Sequence, residues 1–149
     1  MAAILWLGLA LAIGAGIMLQ VGINSQLSAT VGSPVSAAFI SFTTGTIALG
    51  LLALVLRVPI PAWPRAGGEP LYTWLAGGVL GAAFVATTIL LVPRLGASAM
   101  IAGVIAGQMI SALLLDQWGL AGYHQQDITL WRGVGAAMLF VGAVLIQKF

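Results

Sequence analysis

The sequence predicts an all-α integral membrane protein with five transmembrane helices, and two observations carry this prediction. Of the 149 residues, 61% are hydrophobic and only 5% are charged, which leaves too few polar side chains to cover a water-soluble fold. Five apolar stretches each approach the roughly 20 residues that a helix needs to cross about 30 Å of hydrocarbon. The stretches cover residues 2–23, 34–56, 71–92, 96–115 and 129–146, and we expect residues 1–149 to form a single transmembrane domain.

The first stretch, 2–23, is expected to be a retained transmembrane helix and not a cleaved signal peptide. No Lys or Arg precedes it, and its apolar run is longer than the core of a signal peptide. All five runs are continuous rather than alternating, which favours helices over the strands of a membrane β-barrel.

Helix-breaking signals separate the second stretch from its neighbours. Ser33 followed by Pro34 is typical of an N-cap and a first helical position, so we expect the second helix to begin there. After that helix, residues 57–70 contain four prolines and two glycines, a density that no helix tolerates.

The last two stretches follow a tight turn, which we predict at residues 92–96 because Pro93 and Gly96 lie within it. The most polar segment of the chain, 116–128, separates the fourth stretch from the fifth. Asp127 or Thr129 is expected to cap the fifth helix.

An odd number of spans leaves the two termini on opposite sides of the bilayer. Arg57, Arg65 and Arg132 then lie near one face, and Arg94 and Lys148 lie near the other. Orientation follows the excess of Lys and Arg in short loops, and three against two is almost no excess. Two alternatives remain open: the chain inserts in both orientations, or the insertion machinery or a partner sets one.

Small residues at four-residue spacing mark the faces on which membrane helices pack. Gly103 and Gly107 form such a pair in the fourth stretch, and Gly135 and Gly142 lie seven apart on one face of the fifth. We interpret these four glycines as helix-packing positions. They predict a compact bundle and indicate nothing about a substrate.

Three amide side chains are the candidate substrate-binding residues. Gln20 and Asn24 are four residues apart and share one side of the first helix, while Gln108 lies deep in the fourth. An unpaired amide in hydrocarbon costs roughly 4 to 8 kcal/mol, so each must find a partner, a cavity or a ligand. The alternatives are an interhelical hydrogen bond for Gln20 and Gln108, and a solvated helix end for Asn24.

Asp116 is the only acidic residue that borders an apolar stretch, and it lies eight residues after Gln108. A buried carboxyl could carry a coupling proton, so Asp116 is the candidate for proton coupling. An interfacial aspartate or a salt bridge is the alternative, since charges at the ends of spans cost less than central ones.

The composition excludes several classes of protein. The chain has no cysteine, its single histidine is His124, and no basic cluster exists that would bind nucleic acid. No metal-ligand set, nucleophile motif or phosphate-binding loop occurs. We therefore predict neither an enzyme nor a cofactor.

Several segments, taken in order, resemble the YdcZ-type proteins, a five-helix family of the drug/metabolite transporter superfamily. The resemblance covers essentially the whole chain. The segments are Gly14–Leu27 with Gln20 and Asn24-Ser25-Gln26-Leu27, Gly32-Ser33-Pro34, Pro93-Arg94-Leu95-Gly96, Ala106-Gly107-Gln108 leading into Leu113-Leu114-Leu115-Asp116, Arg132-Gly133-Val134-Gly135 and Val141-Gly142-Ala143-Val144-Leu145.

The resemblance implies a multi-pass protein of a prokaryotic inner membrane. It also implies kinship to ten-helix transporters built from two inverted five-helix halves, of which this chain would be one half. Small four-helix exporters of the same superfamily couple to protons through a glutamate in their first helix. This chain has no acidic residue in its first stretch, so that mechanism does not carry over.

These observations predict a secondary transporter of a small organic molecule that works as an antiparallel homodimer by alternating access. The amides suit polar or zwitterionic solutes. Two alternatives stay open: a dual-topology channel for a small ion or solute, and a non-transporting subunit of a membrane assembly.

Overall fold

Five long α-helices make up most of the chain in the computed structural model, which describes residues 2–59 and 70–149. All five are long and apolar enough to cross a membrane, and the described residues contain no β-strand. The predicted five-helix membrane fold is confirmed. The greater part of the proline-rich loop, including Arg65, lies outside the described residues. The helices are α1 (Ala2–Val31), α2 (Pro34–Val55), α3 (Leu71–Leu95), α4 (Ala97–Trp118) and α5 (Leu130–Lys148).

Helix α1 continues to Val31 instead of ending near residue 23. The sequence prediction ended the span where polar residues begin, but polar side chains do not terminate a helix. Gly32 terminates it: its φ is +74°, and its N–H donates to the Ser28 carbonyl at 2.9 Å. The helix therefore extends eight residues beyond the predicted stretch 2–23, and only Gly32 and Ser33 separate α1 from α2.

The start of α2 is confirmed as predicted. Pro34 occupies the first helical turn, and the Ser33 hydroxyl accepts a hydrogen bond from the Ser36 N–H at 3.2 Å. This bond satisfies one of the amides that a helix N-terminus leaves without an internal acceptor.

The predicted tight turn at residues 92–96 is wrong, because α3 runs through Pro93 to Leu95. Pro93 lies in the last turn of α3; it removes one backbone donor, and the helix ends two residues later. Gly96, with a φ of +78°, is the only residue between α3 and α4.

The chain divides into two compact units, Met1–Leu90 and Leu91–Phe149. The prediction of a single domain stays a prediction. In the first unit α1 packs beside α2, and the core consists of Ala37 and Ala38 from α2 and Ile89 from α3. The two alanines leave room for a close approach of these helices.

In the second unit, α4 packs beside α5. Gly119, with a φ of +60°, ends α4, and a single 3₁₀ turn, Leu120–Gly122, follows. Thr129 caps α5, because its hydroxyl accepts a hydrogen bond from the Arg132 N–H at 3.4 Å. This geometry selects Thr129 over Asp127 as the cap.

Candidate functional site

A hydrogen bond between α1 and α2 anchors the main polar cluster of the first unit. The Asn24 side-chain N–H donates to the Ser41 hydroxyl oxygen at 3.2 Å. Asn24 is only 5% exposed, so the alternative of a solvated helix end is wrong for this residue. The bond joins two helices within the apolar part of the chain, where an unmade hydrogen bond is costly.

Asn24 and Ser41 line a groove of about 440 Å³ between α1 and α2. Gln20 also lines it, so the structure brings together two of the three predicted amides. Gln20 is exposed and makes no hydrogen bond within the described residues. The complete lining is Gly16, Leu19, Gln20, Ile23, Asn24, Leu27, Ile40, Ser41 and Thr44.

A second cavity of about 210 Å³ continues the groove along α2. It shares Gln20 and Ser41 with the first cavity, and Thr46 adds another hydroxyl. The two cavities thus meet at Gln20 and Ser41. Ser41 was not predicted from the sequence as a binding residue, although its hydroxyl was the available signal.

The polar side chains of the groove keep unused hydrogen-bonding capacity. Asn24 Oδ1 accepts no hydrogen bond from a described residue. Every fully buried side-chain polar atom of the described residues has a partner, so this unpaired oxygen must be accessible from the groove. Thr44 donates to the Ile40 carbonyl at 2.9 Å, which leaves its oxygen able to accept. Ser41 accepts from Asn24, and its own O–H has no acceptor.

The groove lies near the middle of the apolar spans. The span of α1 covers Ile4–Val31, and at a rise of about 1.5 Å per residue Gln20 is about 4 Å and Asn24 about 10 Å from its centre. Ser41 is about 5 Å from the centre of the span Pro34–Val55 by the same rise. Uncharged polar groups therefore lie within two helices that are long and apolar enough to cross a membrane.

Gln108, the third predicted amide, lies on α4 in the second unit. Its side chain is exposed and makes no hydrogen bond with any described residue. An interhelical hydrogen bond to a described residue therefore does not explain this amide, and its proposed role in binding stays a prediction.

Asp116 forms an ion pair with Arg132, which joins the end of α4 to the first turn of α5. The side chains are 19% and 32% exposed, respectively. The salt bridge considered from the sequence is therefore present, and proton coupling by Asp116 stays a prediction. The sequence signal was available: the segment between α4 and α5 is short, with an acid at one end and a base at the other.

A polar network surrounds this ion pair at the end of the second unit. The Gln117 side-chain oxygen accepts from the Ile128 N–H at 2.8 Å, and the Gln126 N–H donates to the Asp116 carbonyl at 2.8 Å. Arg132 also donates to the Asp127 carbonyl at 3.4 Å. These bonds fasten the segment between α4 and α5 to both helices.

The four predicted packing glycines have open space beside them in the described structure. A Cβ added to Gly103, Gly107, Gly135 or Gly142 would meet nothing within 4 Å. Close contact within the chain therefore does not require glycine at these positions, and their packing role stays a prediction. Gly81 differs, since an added Cβ would lie 3.3 Å from the ring of Phe42.

Gly135 and Gly142 line a cavity of about 500 Å³ on α4 and α5. The remaining lining residues are apolar: Ala102, Ile105, Met138, Leu139, Ala143 and Ile146. Such a surface can contact lipid or an apolar helix. It offers no side-chain donor or acceptor that would orient a polar solute.

The described residues contain no group of three or more His, Cys, Asp or Glu side chains that could hold a metal ion.

A family model described as "Putative inner membrane exporter, YdcZ" matches residues 5–145. The chain belongs to this family. The predicted resemblance is confirmed, and the inner-membrane location follows from the family and from the five spanning helices.

Membership in this family supports the prediction that the chain is a membrane transporter rather than an enzyme. No curated protein and no solved structure matches the chain.

Proposed function

We propose that the chain exports a small organic molecule across the inner membrane as an antiparallel homodimer that works by alternating access. The groove between α1 and α2 carries this proposal, because it presents uncharged polar side chains at hydrocarbon depth. The direction of transport follows the family's description as an exporter. Gln20, Asn24 and Gln108 are the proposed substrate-binding residues.

The energetics of the groove favour an occupant. Gln20 has no hydrogen-bond partner among the described residues, and contact with lipid tails would leave its amide unsatisfied. A solute or water that accepts and donates hydrogen bonds removes this cost. Polar groups within a membrane span generally mark a transport pathway for this reason.

The position of the groove suits an antiparallel dimer. Inversion of a second copy about an axis in the membrane plane preserves the depth of any feature near mid-span. Gln20 and Ser41 lie about 4 to 5 Å from their span centres, so equivalent residues of the two copies would lie within about 10 Å of each other in depth. The near balance of basic residues on the two faces permits both orientations.

The test is a flux measurement with the purified protein in liposomes. A panel of labelled neutral, zwitterionic, anionic and cationic organic solutes is offered, with an excess of the same unlabelled solute inside. We expect saturable uptake of at least one solute, accelerated by the internal excess, because a carrier returns faster when loaded.

Two results would contradict the proposal. Flux without acceleration by internal solute, accompanied by unitary conductance steps in a planar bilayer, would identify a channel. A tightly folded protein that moves no solute faster than protein-free vesicles would support a subunit of a membrane assembly.

A further inference from the structure

We infer that the groove between α1 and α2 selects an uncharged solute with hydrogen-bond donors and acceptors at one end and an aliphatic body at the other. The inference deepens the proposed function, on which it rests for the solute being the cargo. Binding in the groove is independent of transport and can be tested by itself.

The described residues of the first unit offer no counter-charge at the groove, which disfavours ions as occupants. None of the residues that line either of its cavities is charged. In the described part of the first unit, Arg57 is the only charged residue, and it follows the end of α2. Ser41 lies about 21 Å along the helix axis from Val55, the last residue of α2, at about 1.5 Å per residue.

An anion or a cation in this groove would therefore lose its hydration without gaining a counter-charge, which is unfavourable at low dielectric. A zwitterion would desolvate two charges and gain only neutral hydrogen bonds. Uncharged groups avoid this penalty. The sequence predicted polar or zwitterionic solutes, and the uncharged groove restricts this class to uncharged polar solutes.

The polar side chains require both donors and acceptors on the solute. Asn24 Oδ1 needs a donor, and the Ser41 O–H needs an acceptor. Gln20 offers an acceptor and two donors, all without partners among the described residues. A primary amide or a pair of hydroxyl groups matches this set, whereas an ether or a ketone supplies acceptors alone.

The other side chains that line the groove are aliphatic, and they account for the aliphatic body of the inferred solute. Leu19, Ile23, Leu27 and Ile40 line the same cavity as the amides. Its volume of about 440 Å³ lies within the range of roughly 300 to 1,000 Å³ typical of small-molecule sites. A solute of amino-acid-derivative size therefore fits.

A cysteine-labelling experiment tests this selectivity, because the chain has no cysteine of its own. Gly16→Cys places a thiol in the groove, and an added Cβ there meets nothing within 4 Å. Gly135→Cys is the matched control in the apolar cavity of the second unit, with equal space. Ile23→Cys, at an exposed lining residue, replaces Gly16→Cys if that variant does not fold.

The probes are four compounds that share one aliphatic side chain and differ in charge. N-acetyl-leucinamide is neutral, N-acetyl-leucine is an anion, leucinamide is a cation and leucine is a zwitterion at about pH 6.5, below the α-amino pKa of about 7.7 to 8.0. The rate of N-ethylmaleimide labelling is measured in lipid nanodiscs with each probe.

We expect N-acetyl-leucinamide to slow labelling at the groove cysteine by a factor of 1 + [L]/Kd, reaching about tenfold on titration. The three charged compounds should leave the rate unchanged, as should all four compounds at the Gly135→Cys control. Addition of Gln20→Leu to Gly16→Cys should abolish the protection.

Equal protection by a charged compound would overturn the inference about charge. A groove cysteine that reacts only after dilution to monomers would also overturn the inference, because a second copy of the chain would then fill the groove in place of a solute. Counterflow of labelled N-acetyl-leucinamide in liposomes separates the two proposals. Protection without counterflow of any solute would overturn the proposed function alone, whereas counterflow of other solutes without protection would overturn the groove inference alone.

Discussion

The two units of the chain keep their polar side chains in different places. In the first unit, Gln20, Asn24 and Ser41 lie within the spanning helices and carry no charge. In the second, Asp116 and Arg132 pair at the loop end of the helices, and the cavity between α4 and α5 is apolar. The contrast supports the proposal that the groove between α1 and α2 recognises the solute, with Gln108 as the proposed contribution of the second unit.

The largest expected effect comes from removal of the groove amides. Gln20→Leu combined with Asn24→Leu should lower kcat/KM for transport by about tenfold or more, since each hydrogen bond contributes about 1 kcal/mol. Gln26→Leu is the matched control: it makes the same change on α1 at an exposed position outside the groove. Equal loss in both variants would attribute the effect to α1 itself and remove the groove from the pathway.

The next largest effect on transport concerns the one deep amide of the second unit. Gln108→Leu should lower kcat/KM for transport by about fivefold, the loss of one hydrogen bond of about 1 kcal/mol, and leave membrane insertion and dimerisation intact, because its amide has no partner among the described residues and is available to solute. Transport and cross-linked dimer are measured on the same preparation. A fully active variant would remove Gln108 from the transport pathway and return it to packing.

An effect on assembly, and not on the groove, is expected at the glycines of the apolar cavity. Gly142→Leu should weaken the dimer by about tenfold, or about 1.4 kcal/mol, if a second copy packs on this face. The monomer should remain folded, because the added side chain meets open space. Dimer dissociation in detergent measures the change.

Gly81→Leu is the contrasting variant, because we expect it to weaken the fold of the chain instead of the dimer. It should destabilise the fold of the chain by about 1 to 3 kcal/mol, because its side chain must displace the ring of Phe42. An unchanged dimer in Gly142→Leu would show that the cavity faces lipid.

The smallest effect is expected at the ion pair. Arg132→Gln should lower the free energy of unfolding by less than about 1 kcal/mol, since the pair is partly exposed and water screens it. Asp116→Asn tests the proton-coupling prediction separately. A flattened pH profile of transport would support that prediction, and an unchanged profile would leave Asp116 with its ion pair to Arg132 alone.

Hydropathy was sufficient to predict the five helices, but not where each one ends. Windows of apolar residues stop at Asn24, whereas the backbone stops at Gly32, where a positive φ becomes necessary. Pro93 shows the same limit, since a proline in the last turn does not prevent that turn from forming. Helix ends follow backbone geometry, which hydropathy does not measure.

The sequence also identified the amides of the groove but not their partners. The spacing of Gln20 and Asn24 predicted a shared helix face, while the contact with Ser41 depends on how α1 and α2 pack. The glycine stripes likewise specify faces without specifying what covers them. Contacts between helices depend on tertiary packing, so the sequence of one helix does not predict which residue of another helix it contacts.

Antiparallel assembly is tested most directly by the orientation of single chains in the native membrane. Each terminus receives an accessibility tag in a separate variant, and both faces of the membrane are probed. We expect each tag to report two populations of comparable size, since an antiparallel homodimer needs both orientations. One orientation for each terminus, in an active protein expressed without any oppositely oriented relative, would contradict the antiparallel homodimer.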